Sequence, residues 1–209
     1  MSTTFLLIRH ALKEKTRGDV GITDEGKSQA QLTAAYLQQY SVTAVIASPL
    51  RRVEETAAYI ATAVQSPLQK EPRLRERANW GDMPGQTFEQ FVEMWERCTA
   101  DRNYIPPVGD SAGQAGERLG MVLSELAEQY PVDSTIVIVT HGGLITDWLV
   151  GAIPQQQLTQ WHPEFIAVQS TLIPECSITE LVYDKGKYKL ISFASISHLN
   201  KERIEQKGK

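Results

Sequence analysis

The sequence lacks the features that mark secreted, zinc-binding and membrane-spanning proteins. Only two of its 209 residues are cysteines; Cys98 and Cys176 are far apart and form no CxxC pair, so neither a disulfide framework nor a zinc site is indicated. The apolar run at residues 5–8 is too short for a secretory signal and is followed at once by Arg9 and His10. No run approaches the length needed to cross a membrane. We therefore expect a cytoplasmic protein with free thiols.

An excess of positive charge is also missing. The formal net charge is −4 at pH 7, and a surface of that charge does not attract a polyanion, so nucleic-acid binding is disfavoured as the main function. With 42% hydrophobic and 22% charged residues, the composition is that of an ordinary globular protein rather than a disordered chain. A local basic cavity remains compatible with this acidic whole.

Hydrophobic patterning predicts strands that alternate with helices. Continuous apolar or β-branched runs predict strands at residues 4–9, 42–47 and 135–140. Helical spacing predicts helices at residues 24–40, 51–64, 87–98, 113–130 and 142–151. This alternation predicts a three-layer α/β/α sandwich with a mainly parallel central sheet, in a single domain over residues 1–209.

The last third of the chain is predicted to add three strands and a tail. Strand-like runs lie near residues 165–172, 177–183 and 188–193, and the sequence DKGK at residues 184–187 is typical of a hairpin turn. Residues 201–209 form a charged tail that we expect to be frayed.

Two short motifs match known sites by letter but not by context. Residues 21–28 (GITDEGKS) fit the Walker A expression, yet the preceding segment is charged and predicts no strand. Residues 109–113 (GDSAG) fit the nucleophile elbow of serine hydrolases, but the preceding Pro106 and Pro107 cannot belong to a central strand, because proline lacks the ladder donor. We interpret the first as a capped helix start and the second as a loop that leads into a helix.

Basic and imidazole side chains follow three of the predicted strands. His10, with Arg9 beside it, ends the first strand; Arg51 and Arg52 begin the helix after the second; His141 follows the strand at residues 135–140. In an open α/β sheet, ligands bind outside the carboxyl ends of the strands. These side chains are therefore predicted to gather at one edge of a net-negative protein, which indicates an anion site.

This arrangement resembles the histidine phosphatase superfamily, which includes the cofactor-dependent phosphoglycerate mutases. Each matching stretch is short, but together they span nearly the whole chain in the family's order. The stretches are LLIRHA (6–11), DVGITDEGKSQA (19–30), SPLRRVEETA (48–57), RLRERANWGDMPG (73–85), VGDSAGQAGER (108–118), THGGLI (140–145), CSITEL (176–181) and the pair HL (198–199).

The resemblance implies a phosphohistidine mechanism. His10 matches the nucleophile and Arg9 the arginine beside it, while the backbone carbonyl of residue 11 is implied as the acceptor for the second ring N–H. Glu76 matches the proton donor, which protonates the leaving alkoxide and then activates the water that hydrolyses the phosphohistidine. No metal and no cofactor is required.

The resemblance also implies which groups bind the phosphoryl oxygens. Arg9 and Arg52, rather than Arg51, offer planar forks that match phosphate geometry. His141, protonated beside a dianion, would add a third contact, and the N–H groups at the helix start of Gly142 could help.

The chain departs from the family pattern near the rim of the expected site. Alanine at position 11 replaces the usual glycine, but a contact made by a backbone carbonyl survives that change. The family often has asparagine at the place of Thr16, and here the loop is short; we assign Arg17 as the replacement substrate contact. Residues 71–118 are predicted to form a lid.

We predict a phosphomonoester hydrolase of the histidine phosphatase type with a small-molecule substrate; neither that substrate nor the oligomeric state follows from the sequence. A phosphoglycerate mutase is the close alternative because it uses the same first step, but the chain has no long insertion to hold a bisphosphate. A non-catalytic phospho-ligand-binding relative is a further alternative, which Glu76 disfavours because a binding module needs no proton donor. His162 and His198 are interpreted as structural.

Overall fold

A single mixed sheet forms the centre of the protein. The structure, a computed structural model, describes residues 2–200, so the tail predicted at 201–209 lies outside the described residues. Within the described range, six strands pair in the order β3-β2-β4-β1-β5-β6. They are β1 (Thr3–Arg9), β2 (Val42–Ala47), β3 (Leu68–Lys70), β4 (Thr135–Thr140), β5 (Ile178–Asp184) and β6 (Lys187–Ser195). Strands β1 to β4 run parallel and the β5–β6 hairpin is antiparallel, which confirms the mainly parallel sheet.

Seven α-helices of the described chain connect and cover the strands. They are α1 (Asp24–Leu37), α2 (Arg51–Val64), α3 (Phe88–Ala100), α4 (Ala112–Gln129), α5 (Gly142–Ala152), α6 (Gln155–Leu158) and α7 (Phe165–Val168). Short 3-10 turns lie at Pro72–Leu74, Gln169–Thr171 and Ser197–Leu199. The bounds of α2, β2 and β4 agree with the sequence-based prediction.

Two hydrophobic layers hold the helices against the sheet. Alternate side chains of a strand point to opposite faces, so Phe5 and Leu7 of β1 pack with α4 and α5, whereas Leu6 and Ile8 pack with α1 and α2. All four side chains are fully buried. Helices therefore cover both faces of the sheet, as the predicted three-layer sandwich requires.

The two motifs that failed on context both lie at helix starts. Thr23 precedes α1 and its hydroxyl accepts a hydrogen bond from the N–H of Gly26 at 3.0 Å. Ser111 precedes α4 in a capping box with Gln114. Neither segment follows a strand, so both interpretations made from the sequence are confirmed.

The prediction of a strand at residues 165–172 is wrong. This segment forms α7 and a 3-10 turn, in which the two buried side chains, Phe165 and Gln169, are four residues apart. That spacing places them on one side of a helical turn, while Ile166 between them is exposed. The segment is apolar enough to suggest a strand, but an apolar run of this length is compatible with either a strand or a short helix. Strand β3 was not predicted, because its three residues are all exposed and only Leu68 among them is hydrophobic.

The hairpin between β5 and β6 has the predicted turn. Lys185 and Gly186, its two central residues, both have positive φ, at 49° and 78°, and this is the conformation of the two-residue turn that suits the twist of a hairpin. Among residues 2–200, no helix combines the length and hydrophobicity that crossing a membrane requires. The cytoplasmic location and the single-domain organisation stay predictions.

Candidate active site

The strand order places three chain segments at one edge of the sheet. Strand β4 lies between β2 and β1, and all three run parallel, so their carboxyl ends coincide. The N–H of His10, just after β1, donates to the carbonyl of Thr140 at 2.9 Å. The N–H of Ser48, just after β2, donates to the carbonyl of Val139 at 3.1 Å. These hydrogen bonds bring the residues that follow β1 and β2 against His141, which follows β4.

The ring of His10 is held in one orientation and one tautomer. Its Nδ1 lies 2.8 Å from the carbonyl oxygen of Ala11, which can only accept, so Nδ1 carries the proton and donates. Its Nε2 accepts a hydrogen bond from Nε of Arg52 at 3.2 Å. Burial, together with the charges of Arg52 and Arg9, holds the pKa of His10 well below its ordinary value. The ring is therefore neutral at pH 7, with the lone pair of Nε2 directed toward Arg52.

Arg52 lies between the two histidines. Besides its bond to His10, its Nη2 lies 3.3 Å from Nδ1 of His141, and the ring centroids of the histidines are 5.4 Å apart. Its Nη1 is buried and has no hydrogen-bond partner among the described residues. By contrast, Arg51 is exposed and pairs with Glu55 at 2.8 Å, so the structure brings Arg52, not Arg51, into the site.

Ser48 orients His141, and the sequence reasoning missed this role. Since a guanidinium can only donate, Nδ1 of His141 accepts from Arg52, and Nε2–H therefore donates to Oγ of Ser48 at 2.9 Å. His141 is fully buried. Burial and the charge of Arg52 hold its pKa well below the ordinary value, so the ring is neutral until an anion offsets them.

Arg9 is anchored by a segment that the sequence reasoning did not connect with the site. Its Nη1 donates to the carbonyl of Ile173, and its Nη2 forms an ion pair with Glu175. The next residue, Cys176, has a φ of 56°, and its N–H donates to the carbonyl of Arg9 at 3.0 Å. Gly142, at the start of α5, lies beside Arg9: a Cβ there would be 3.2 Å from its Cδ.

The carboxylate of Glu76 is held by two backbone N–H groups. Oε1 accepts from its neighbour Arg77 at 3.1 Å, and Oε2 accepts from Gly143 in the first turn of α5 at 3.2 Å. A Cβ at Gly143 would lie 2.8 Å from Oε1 of Glu76 and 2.6 Å from Cη2 of Trp95, so this approach requires glycine. Thr140 fixes the segment from the other side, because its hydroxyl donates to the carbonyl of Leu74 at 2.7 Å.

A buried ion pair ties the Glu76 segment to α5. Nη1 of Arg77 donates to Oδ1 of Asp147 at 2.7 Å, and both side chains are almost completely buried. Nη2 of the same guanidinium donates to the carbonyl of Trp95 and to the hydroxyl of Thr99 in α3, and the guanidinium lies 3.7 Å from the centre of the Trp95 ring. Burial raises the pKa of Asp147 to about 7, against the attraction of Arg77.

The side chains surround a cavity of about 350 Å³. Its wall combines cationic, imidazole and carboxylate groups with four aromatic rings from the 71–118 region. The lining includes Arg9, His10, Lys13, Thr16, Gly18, Arg52, Glu76, Trp80, Phe88, Phe91, Trp95 and Gly142. Neither Lys13 nor Phe88, Phe91 and Trp95 was assigned to the site from the sequence.

The structure does not bring Arg17 into the lining of this cavity. Its guanidinium donates to the carbonyl of Met83 at 2.9 Å and is exposed, whereas Thr16 beside it does line the wall. Met83 itself lies outside the lining, whereas Trp80, left open by the sequence, lies within it. Arg17 therefore joins the loop after β1 to the 71–118 region.

The two other histidines lie away from the cavity. His198 is buried, its Nε2 lies 3.0 Å from the hydroxyl of Thr33, and its ring lies against Tyr36. Nδ1 of His162 accepts from the N–H of Glu164 in a turn at 3.2 Å. Both contacts are structural, as the sequence suggested.

Comparison with known proteins agrees with this geometry. Residues 5–195 match the family described as histidine phosphatase superfamily (branch 1), which confirms the resemblance seen in the motifs. The uncharacterized phosphatase PhoE of Bacillus subtilis (strain 168) is 25% identical over 205 residues, which cover 95% of this chain and 97% of that protein. The probable phosphoglycerate mutase GpmB of Yersinia enterocolitica is 29% identical over 149 residues, 68% of each chain.

A solved structure of similar fold holds a phosphorylated ligand. A mutant phosphoserine phosphatase from Entamoeba histolytica, in complex with phosphoserine, has a TM-score of 0.73 and 25% identity to this chain. The similarity covers 95% of this chain and 100% of that one.

Proposed function

We propose that this chain, which belongs to the histidine phosphatase superfamily (branch 1), hydrolyses small-molecule phosphomonoesters through a phosphohistidine on His10. The observation that carries the proposal is the position of Arg52. Its guanidinium contacts the unprotonated Nε2 of His10 and the ring of His141, and its buried Nη1 has no hydrogen-bond partner in residues 2–200. A phosphoryl oxygen is the acceptor that such a group requires, and it would sit next to the lone pair that attacks phosphorus.

In the first step, Nε2 of His10 bonds to phosphorus and the ester P–O bond breaks. Ala11 keeps the opposite N–H engaged, which stabilises the charge that the ring gains. Arg52 and Arg9 face the negative charge that spreads over the equatorial oxygens, and the first N–H groups of α5 at Gly142 add dipolar attraction. His141 takes up a proton beside the bound dianion, whose charge offsets the burial that otherwise keeps it neutral.

Glu76 is proposed to move the two protons of the cycle. In its protonated form it gives a proton to the leaving alkoxide, and as carboxylate it then takes a proton from the water that attacks the phosphohistidine. The products are the free alcohol, inorganic phosphate and the starting enzyme. The hydrogen bonds from two backbone N–H groups to the carboxyl oxygens support this role, because they fix the carboxyl group of Glu76 within the cavity that holds His10.

Replacement of the nucleophile tests the proposal directly. We expect His10→Ala to abolish both turnover of an aryl phosphate and acid-labile labelling of the protein by a radioactive phosphoryl donor. His162→Ala is the matched control, since that histidine lies in a surface turn. Normal aryl phosphate hydrolysis by His10→Ala would refute the mechanism.

The leaving group tests Glu76. A general acid contributes about 100-fold or more when the alkoxide is a poor leaving group and little when it is a stable phenolate. We therefore expect Glu76→Gln to slow alkyl phosphates far more than aryl phosphates, and Glu96→Gln, on the exposed side of α3, to change neither. An equal loss on both substrates would show that Glu76 is structural.

A phosphoglycerate mutase is the second candidate, because GpmB carries that description. Both reactions begin with the same phosphohistidine, and they differ in whether water or a second hydroxyl receives the phosphoryl group. Supplying phosphoglycerate with and without bisphosphate, and following free phosphate against isomer formation, separates them. We expect free phosphate to predominate, in keeping with the match to the phosphatase PhoE over 97% of that protein, against 68% for GpmB.

The 71–118 region is proposed to act as a lid over this site. It supplies the aromatic part of the wall, from Trp80 to Trp95. Two arginines anchor the base of this region. Nη1 of Arg77 donates to Asp147 of α5, and Nη1 of Arg118, in α4, donates to the carbonyl of Arg75.

A further inference from the structure

A lysine outside the quoted stretches that match the family lines the catalytic cavity. Lys13 lies in the wall with Thr16 and Gly18, on the loop that follows His10. Its backbone is fixed, because it forms an isolated antiparallel bridge with Ile22 and because the next N–H donates to the carbonyl of Gly21 at 3.0 Å. The side chain therefore starts from a defined position.

The ammonium of Lys13 is not paired with a carboxylate among residues 2–200. The hydrogen bond it makes is to the backbone carbonyl of Glu14, at 3.2 Å. Partial burial and the nearby charges of Arg52 and Arg9 lower its pKa from the ordinary value, so the ammonium lies in the same positive field as the phosphate-binding groups. An anion close to Lys13 would relieve this repulsion.

The position of Lys13 assigns it to the leaving-group half of a substrate. His10, His141 and Arg52 are buried at the floor of the site, whereas Lys13 is only half-buried and is therefore closer to solvent. The same loop reaches the aromatic wall, because the N–H of Gly18 donates to the carbonyl of Trp80 at 2.8 Å. When the phosphate of a phosphomonoester is bound at the floor, its alcohol half must extend toward this more exposed side of the cavity.

We propose that Lys13 determines substrate specificity by binding a second anionic group, a carboxylate, carried by the alcohol half of the phosphomonoester. This inference rests on the proposed function and names the substrate class that the site selects. A cavity of about 350 Å³ is at the small end of ligand sites, so the acid is a compact one. The contact is a charge-assisted hydrogen bond from the ammonium to the carboxylate, and no covalent step is involved.

Two substrates that differ only in a carboxylate test the proposal. Phosphoserine and phosphoethanolamine share the phosphate, the ester and the amine. We expect wild-type protein to have the higher kcat/KM for phosphoserine, and Lys13→Met to lower the ratio of the two kcat/KM values about tenfold, mainly through KM. Lys13→Glu should move the preference to phosphoethanolamine, whereas Lys15→Met, two residues along the same loop and exposed, should leave the ratio at its wild-type value.

Each other outcome has a distinct meaning. If Lys13→Met lowers both kcat/KM values equally, Lys13 serves the phosphoryl group or the fold, and the proposal is overturned. A wild-type protein without preference for phosphoserine overturns it as well. If wild-type protein hydrolyses neither substrate and no aryl phosphate, the proposed function itself fails. If Lys13→Met hydrolyses an aryl phosphate normally and its ratio of the two kcat/KM values is unchanged, only the role of Lys13 is refuted.

Discussion

The buried Asp147 should make the protein less stable as the pH rises. Burial raises its pKa to about 7, with Glu76 acting in the same direction and the charges of Arg77 and Arg102 opposing it. In the unfolded chain the pKa of an aspartate is about 3.9. The native state therefore binds more protons between these values. The contribution is fully present below pH 4 and is lost as the pH rises through 7.

The size of this effect follows from the two pKa values. Between pH 5 and pH 8, a single carboxyl group with a folded pKa of about 7 removes about 2–3 kcal/mol from the free energy of unfolding. The side chain is fully buried, so solvent does not screen the effect. The substitution Asp147→Asn keeps an oxygen that accepts from Nη1 of Arg77, but it cannot ionise.

Urea unfolding of wild-type protein and Asp147→Asn at pH 5, 6, 7 and 8 measures the difference. Subtracting the two series cancels every titration that they share. We expect wild-type protein to lose stability relative to the variant as the pH rises. A constant difference would refute the raised pKa, and a wild-type protein that gains relative stability with pH would show that the attraction of Arg77 outweighs burial.

Three further substitutions test two contacts of the site and one close approach of the backbone at Gly109. Ser48→Ala removes the acceptor of a buried N–H of His141, which should cost about 1–3 kcal/mol in urea unfolding and lower turnover. Arg52→Lys keeps the charge but loses the fork that contacts both rings, so kcat on an aryl phosphate should fall about 100-fold or more; wild-type kcat would contradict the assignment. Gly109→Ala, at φ 97° with its Cβ 2.2 Å from a backbone oxygen, should destabilise the protein by about 1–3 kcal/mol or more, and clearly more than Gly85→Ala, where φ is 77° and the surrounding space is open.

The elements with strong local signals could be predicted from the sequence. The β-branched run of β4 and the hydroxyl cap before α1 each determine their structure through neighbouring residues alone. The convergence of His10, Arg52 and His141 was predictable for a related reason, because parallel strands end at the same edge and each residue immediately follows or nearly follows one.

Contacts set by packing between distant segments carried no such signal. Glu175 reaches Arg9 from a loop 166 residues away, and nothing in the sequence around it marks it as a partner. The helix at Phe88–Ala100 was predicted, but the direction in which Phe91 and Trp95 point depends on how the helix docks. Arg17 seemed a plausible contact from sequence position, yet its backbone partner at Met83 takes it to the rim.

The order in which strands join the sheet also bears on how the protein matures. Strand β4 is the fourth in the chain but lies between the first two in space, so β1 and β2 belong to one sheet only once β4 has inserted between them. A nascent or partly refolded chain that lacks β4 has neither His141 nor the carbonyl of Thr140 that positions the N–H of His10. Recovery of catalysis during refolding should therefore coincide with the insertion of this middle strand, and turnover becomes a reporter of complete assembly rather than of early collapse.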